Sequence, residues 1–335
     1  MIKILELFGG IGAPRKALIN LGIDHKAIDY VEWKENRVKA YNALYDHLHK
    51  PQDIRGWNLK PDILVHGSPC QDNSRSNANR KGAQKGSRSE LMLETLRIIA
   101  EMGEWKPKVV IWENVKGVLD RNVMPIFNYY LQEMVKLGYS NSFDVLNAMD
   151  FGIPQSRERV FCISILGNAT FDFSRLEKRP MRPISEFLES NVTDERYMVN
   201  VPSMLNRLKD LATPEQILAA KKKHRFVETI TDYCTTITER QDRCPNAGVV
   251  KVADRKYRYL TEREVWRLMG FEDSDFDLML KEFPMKPGRR NATLYALAGN
   301  SIVVQVLEAI FKVIINEDYG TDLIADVNGQ LQLIC

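Results

Sequence analysis

The sequence contains no C-x-x-C pair, and its five cysteines, Cys70, Cys162, Cys234, Cys244 and Cys335, are odd in number. Zinc ribbons and disulfide frameworks are disfavoured on that ground, and a reducing, cytoplasmic setting fits. No apolar stretch approaches the roughly 18 residues that span a bilayer. The short apolar start, MIKILELFGG, lacks a cleavage pattern and runs straight into a glycine turn, so it reads as a first strand. A Walker lysine pattern is missing, which disfavours ATP. A complete G-x-G-x-x-G is missing too, which leaves NAD poorly supported. Neither sign of charge dominates: 47 Lys and Arg stand against 44 Asp and Glu, a net charge of +3. Internal repeats, low-complexity tracts and flexible linkers do not appear.

What is present is ample core material, 44% hydrophobic in 335 residues, enough for about two domains. Strand-like and helix-like segments alternate through residues 1–167. Strands are expected at 2–8, 25–31, 63–67, 109–112, 140–147 and 160–165. Helices are expected at 13–21, 35–45, 90–102 and 124–137. Such alternation predicts an α/β fold, a mostly parallel sheet with helices on its faces, whose ligands sit at the carboxyl ends of the strands. The pattern breaks at residues 168–257, which read as a smaller irregular domain. That stretch is the more basic one: Phe171 to Arg258 holds 17 Lys and Arg against 13 Asp and Glu. Regularity returns in 258–335, with helices expected at 260–269, opened by a Thr261/Glu264 capping-box spacing, and at 301–315.

Phe8-Gly9-Gly10-Ile11-Gly12 joins the first strand to the first helix, where glycines permit a tight turn and close approach of a ligand. The second strand ends at Glu32, about 20 residues beyond Gly12, the spacing at which an acid grips ribose hydroxyls. Trp33 follows as a flat surface for adenine. An adenosine without phosphates suits this pattern.

Cys70, in GSPCQDNS, lies just past the third strand, beside polar and basic residues that would stabilise a thiolate. Glu113 follows the strand Val109-Trp112 and would share that rim, where partial burial raises a carboxyl pKa and lets it donate a proton. Gln155, Arg157 and Arg159 alternate on the approach to another strand, so they should point one way and could hold polar edges and orient an acid. Taken singly, a cysteine is most often a small core hydrophobe, a glutamate a solvated acid and an arginine pair a structural one. At the ends of three strands of one sheet they are better explained as a site.

These residues together resemble the cytosine-C5 DNA methyltransferases, in the family's motif order over nearly the whole chain outside the middle segment. FGGIG, with Phe8, Gly10, Ile11 and Gly12, resembles the S-adenosyl-L-methionine-binding motif; Glu32 and Trp33 resemble its ribose and adenine contacts, and Asp53-Ile54 its adenine-amino contact. GSPCQ resembles the nucleophile motif, with Cys70 as nucleophile and Pro69 beside the cofactor. Glu113-Asn114-Val115 resembles the ENV motif and Gln155-x-Arg157-x-Arg159 the Q-x-R-x-R motif. Leu91 fits an apolar contact to adenine, although Ser89-Glu90-Leu91-Met92 replaces a glycine-bearing, aromatic version. Ala298-Gly299-Asn300-Ser301 resembles the closing motif that brings Asn300 and Ile302 back to the cofactor.

The resemblance implies a Rossmann-like S-adenosyl-L-methionine-dependent catalytic domain (1–167), a target-recognition domain (168–257) and a return segment completing the catalytic domain (258–335). It implies methyl transfer to C5 of a flipped-out cytosine in a specific short duplex sequence, through a Cys70–C6 adduct. Glu113, Arg157 and Arg159 would be its catalytic partners, with Arg159 holding the base near O2 and orienting Glu113. The basic loop from Asn73 to Arg88 would close over DNA, with Ser74, Arg75, Ser76 and Arg88 as contacts. Thr236, within Cys234-Thr235-Thr236-Ile237-Thr238, and Arg240 and Arg243 would contact DNA from the recognition domain. A monomer acting on double-stranded DNA is expected, with room for a cognate restriction endonuclease. An RNA cytosine-C5 methyltransferase and a catalytically silent DNA-binding module are the alternatives. The basic middle segment argues against the first and the complete catalytic set against the second.

Overall fold

The computed structural model describes residues 1–54, 61–67, 91–219 and 226–317. The chain runs β1 (Ile2–Leu7), α1 (Ala13–Asn20), β2 (His25–Val31), α2 (Glu35–Tyr45), β3 (Ile63–His66), α3 (Leu91–Glu101), β4 (Val109–Val115), α4 (Met124–Lys136), β5 (Tyr139–Asn147), β6 (Gln155–Ser156) and β7 (Glu158–Leu166). It continues with α5 (Pro202–Leu205), α6 (Pro214–Ala219), β8 (Cys234–Thr235), β9 (Val250–Ala253), β10 (Lys256–Arg258), α7 (Glu262–Arg267), α8 (Asp273–Glu282), α9 (Ala292–Gly299) and α10 (Val304–Asn316).

Six strands form the central sheet in the order β2-β1-β3-β4-β7-β5. The first four are mutually parallel, while β7 and β5 join antiparallel. All four residues of β3 are buried, as a strand covered on both faces requires. One face packs against α3 and α4 through Leu64, Val110, Trp112, Phe127 and Tyr130, with the last three fully buried. The other packs against α1 and α10 through Ile4, Val65, Ile111, Ile163 and Leu307. Truncating one of these large side chains would cost about 3–5 kcal/mol. His66, at the end of β3, is fully buried and links Tyr130 on α4 (3.0 Å) to Thr95 on α3 (3.4 Å). Burial lowers its pKa to about 3, so the imidazole stays neutral.

The 168–257 segment is sparse in regular structure, as expected. A small second core of Val199, Met204, Leu208, Val227, Val249, Tyr257 and Tyr259 holds part of it. Phe171, Leu176, Ile184 and Phe187 pack instead into the main core, so packing and sequence pattern divide the chain at different points.

Three sequence expectations change. β4 continues past Trp112 to Val115, because pairing with β7 extends to Val115 opposite Arg159; Glu113 therefore lies within a strand. Residues 155–159 are not one strand: Gln155 and Ser156 pair with β8, and the chain enters β7 only at Glu158. Residues 292–316 are apolar and long enough, by composition, to cross a membrane, with mean hydropathy 1.6. They form α9 and α10, two helices broken between Gly299 and Val304, and 72% of the apolar window is buried in the core.

Candidate active site

Register places the site. Across the sheet Val31 pairs with Leu7, Leu7 with His66, His66 with Trp112 and Trp112 with Cys162. The next residues on the four parallel strands, Glu32, Phe8, Gly67 and Glu113, therefore form one row along the carboxyl rim. From β1 the chain moves to β2 on one side, and after β2 it returns past β1 to β3 on the other, where the winding continues outward to β4. The crevice between β1 and β3 is thus the topological switch point where such sheets bind ligands.

At the β1 end, Phe8, Gly10 and Gly12 all have left-handed φ, 56°, 57° and 73°. Gly12 is obligatory for a second reason: a Cβ there would come within 2.6 Å of the Tyr41 and Tyr45 rings. The turn is held from behind by tyrosine hydroxyls that the sequence reading did not single out. Tyr30 donates to the Gly10 carbonyl (2.5 Å), and Tyr45 to those of Ile11 (3.2 Å) and Gly12 (2.7 Å). Tyr41 donates to Glu6 Oε1 (2.9 Å). A signal for them existed, since Tyr41 and Tyr45 are one helical turn apart on the helix facing the turn. Burial pushes the Glu6 carboxyl up to about 7, against the pull of Tyr41 and Arg15. A buried acid under the turn and a proline in the first turn of α1 both disfavour a phosphate there. A cationic, phosphate-free adenosyl group fits better. Space is open above Gly10, where an added Cβ would meet nothing within 4 Å.

Glu32 is buried, and its carboxylate is already engaged. Oε1 accepts the N–H groups of Trp33 (3.0 Å) and Lys34 (3.1 Å), and Oε2 accepts from Arg37 (3.0 Å). A ribose would have to share or displace these bonds. The same bonds fix the backbone from which Trp33 projects, 67% exposed. Gln52 N–H donates to the Glu32 carbonyl (2.9 Å), which brings exposed Asp53 and buried Ile54 to the same corner. Ile11 is buried. Pro69, Cys70, Ser74, Arg75, Ser76 and Arg88 lie outside the described residues, as does the side chain of Leu91.

Glu113 and Arg159 form the chemical centre of the described rim. Glu113 lies opposite Phe161, and Arg159, two residues from Phe161, shares that face. Its Nε sits 3.1 Å from Glu113 Oε1, both side chains partly exposed. Burial raises the Glu113 carboxyl pKa, and Arg159 and then Arg157 oppose the shift. A Cβ on Gly67, the residue that leads into Ser68-Pro69-Cys70, would lie 3.6 Å from Glu113 Oε2. The arrangement can hold a proton on a carboxyl beside the β3 exit.

Arg157 departs from its expected place in the catalytic group. Its Nη1 donates to the Ile237 carbonyl (2.8 Å), and Nη2 to those of Gly299 (3.3 Å) and Ser301 (2.8 Å). It is buried and holds backbone, so it is a positioning residue. Gln155 acts alongside, accepting Ile237 N–H (3.1 Å) and donating to Leu268 (2.8 Å). The Thr236 hydroxyl donates to Ser156 (2.9 Å) rather than facing outward, whereas Arg240 and Arg243 are exposed. Asn300 is exposed and Ile302 packs against the main core.

A family profile described as C-5 cytosine-specific DNA methylase matches residues 2–316. The chain belongs to that family. It is therefore a DNA cytosine-5 methyltransferase. Among curated relatives it is 30% identical to the type II methyltransferase M2.ScrFI of Lactococcus lactis subsp. cremoris, covering 93% of this chain and 98% of that protein. It is 31% identical to the type II methyltransferase M.HhaI of Haemophilus parahaemolyticus, covering 92% and 93%. In fold it matches the Dnmt2 methyltransferase of S. pombe with a TM-score of 0.71 at 20% identity, over 94% of this chain and 98% of that one.

Proposed function

We propose that this methyltransferase uses S-adenosyl-L-methionine to methylate C5 of a cytosine flipped out of a specific short duplex sequence, through a covalent bond from Cys70 to C6. The observation that carries the reading is the Glu113–Arg159 pair, an acid with a raised pKa held on the rim one residue row from the exit of β3. When bound, S-adenosyl-L-methionine supplies an electrophilic methyl. Phe8, Gly10, Ile11, Gly12, Trp33, Asp53 and Ile54 would hold it with Asn300 and Ile302, and Glu32 would take the ribose by giving up part of its present bonding.

Cytosine C5 is a poor nucleophile, and the chain's residues change that. The Cys70 thiolate adds to C6, turning the C5–C6 double bond into an enamine whose nucleophilic carbon is C5. Glu113, at the N3/N4 edge, donates a proton as negative charge builds on the ring. Arg159 holds Glu113 and the O2 edge. C5 then takes the methyl, the sulfonium sulfur leaving as the thioether of S-adenosylhomocysteine; removal of the C5 proton by a base restores the C5–C6 double bond, expels the thiolate and returns the ring proton to Glu113. Reaching C6 requires the base to leave the stack. The proposal gives residues 1–167 and 258–335 to catalysis and 168–257 to target readout, with Arg240 and Arg243 toward DNA. The enzyme would act in the cytoplasm as a monomer, with room for a cognate restriction endonuclease.

The test is incubation of wild type and Cys70→Ala with S-adenosyl-L-methionine and unmethylated duplex DNA, followed by nucleoside mass spectrometry. 5-Methylcytosine with wild type alone is expected, and sequencing the product gives the target. A folded wild type that methylates RNA but no duplex DNA would overturn the substrate assignment.

A further inference from the structure

The turn between α9 and α10 and the strand β8 with its exit are far apart in sequence, yet they close on one side chain. Arg157 binds the Ile237 carbonyl with one terminal nitrogen and the Gly299 and Ser301 carbonyls with the other. The segments also touch directly. A Cβ on Gly299 would lie 2.4 Å from the Thr238 carbonyl carbon, so only glycine lets the backbones meet. Asn300 Nδ2 reaches Glu239 Oε2 at 3.4 Å. Gln155 fixes the other side of Ile237. Three buried carbonyls would lose their donor without the guanidinium, a costly outcome in a low-dielectric interior. A cation at the end of α9 also suits that helix terminus.

The two segments face different ligands. Under the function proposed above, on which this inference rests, 236–243 meets the DNA target and 299–302 meets the cofactor. We propose that Arg157 is a positioning residue that couples target binding to cofactor binding. DNA that immobilises 236–240 fixes the Ile237 carbonyl and hence the guanidinium. The guanidinium then holds Gly299 and Ser301 in the geometry the cofactor needs, and that ordering need not be supplied again. Linkage makes the effect reciprocal: each ligand tightens the other by one common factor.

The experiment measures four dissociation constants for the full chain. S-Adenosylhomocysteine is titrated with and without a duplex carrying the mapped site, and that duplex with and without S-adenosylhomocysteine. Wild type should show the same factor by both routes, on the order of tenfold. Arg157→Lys keeps the charge, but its ammonium cannot span three carbonyls of two segments. It should keep each constant for a single ligand within roughly threefold while the coupling factor falls toward one. A merely structural role would weaken the single-ligand constants and leave the factor alone. Wild type that methylates DNA but shows no coupling, or Arg157→Lys with the wild-type factor, would overturn the inference while leaving the function standing. Should Arg157→Lys fail to fold, amide hydrogen exchange on wild type is read instead: S-adenosylhomocysteine alone should slow exchange in 236–240, and the duplex alone should slow it in 299–302. Protection confined to each ligand's own segment would overturn the inference.

Discussion

Two arginine–glutamate pairs in this molecule share a chemistry and differ in everything around it. Arg258 and Glu264 are 4% and 0% exposed, joined twice at 2.8 and 2.7 Å, and Glu264 also caps α7 by accepting the Thr261 N–H (2.8 Å). Glu189 of the middle segment accepts from Thr261, and its N–H donates to Glu264 (2.7 Å). This pair fastens the middle segment to the return segment. Arg159 and Glu113 are 16% and 14% exposed and meet once at 3.1 Å, with a second carboxylate oxygen facing Gly67. A saturated buried pair has no capacity left for a ligand, whereas a half-open pair whose second oxygen has no hydrogen bond among the described residues has. The difference lies in what each pair leaves unbonded.

Substitution at each glutamate should separate the two roles. Glu113→Gln is expected to lower kcat by about 10²–10⁴-fold and to shift the thermal midpoint little, since the amide keeps the shape and its oxygen can still accept from Arg159. Steady-state kinetics on duplex DNA beside a thermal melt checks both; retention of full activity would remove Glu113 from the chemistry. The pH dependence has a fixed sign. The raised carboxyl stays protonated above the ordinary range, so the step needing its proton weakens as pH rises through that pKa. That descending limb should flatten in the glutamine variant.

Glu264→Ala should invert the pattern. It strands a buried guanidinium, at a cost of about 3–5 kcal/mol, read as a large fall in the denaturant midpoint. At a temperature where the variant is folded, kcat should remain near wild type. A midpoint close to wild type would contradict the reading of this pair as the fastening between segments.

Glu6 tests a third environment, a fully buried acid: Oε1 accepts from Tyr41, and Oε2 is buried with no hydrogen-bond partner among the described residues. Its carboxyl rises from 4.5 to about 7. The stability it contributes is therefore present below pH 4.5 and is lost as pH rises through about 7. Glu6→Gln, neutral throughout and still able to accept from Tyr41, should match wild type near pH 4. It should exceed wild type by up to about 3 kcal/mol above pH 8, measured by urea unfolding across pH. A constant difference at all pH values would show that burial does not raise the Glu6 carboxyl above its unfolded value.

The parallel sheet was legible because buried strands and amphipathic helices leave strong periodic signals, and the motif spacings then placed Glu113 and Arg159 at strand ends of one sheet. That Arg159 is the one that orients Glu113 came from the family resemblance and agrees with the structure; spacing alone could not choose between Arg157 and Arg159, because the choice depends on where β6 stops and β7 starts, which is decided by pairing with β8. Helix α8 escaped notice because its apolar positions, Phe276, Leu278, Met279 and Leu280, are matched in number by acids and three of them are consecutive, which blurs a helical period. Helix α9 did so because it is apolar nearly all round, with no stripe to betray its period. The tyrosine brace behind the glycine turn rests on side chains from β2 and α2 that meet only after folding.

The smallest expected effect falls on Trp33, and it sharpens the contrast between buried and open groups. The indole is 67% exposed, so it contributes little to the core and Trp33→Ala should leave the thermal midpoint unchanged. A flat ring standing free beside Glu32 has its area available for adenine, and such stacking contributes about 1–3 kcal/mol. The variant should therefore weaken S-adenosylhomocysteine binding by about tenfold or somewhat more, measured by calorimetry, with DNA affinity in the absence of cofactor unaltered. Unchanged cofactor affinity would move the adenine off Trp33 and leave that exposed ring without a role. A fall in cofactor affinity with stability intact would show that this corner of the rim, unlike Glu32 beside it, is built for a partner the chain does not itself supply.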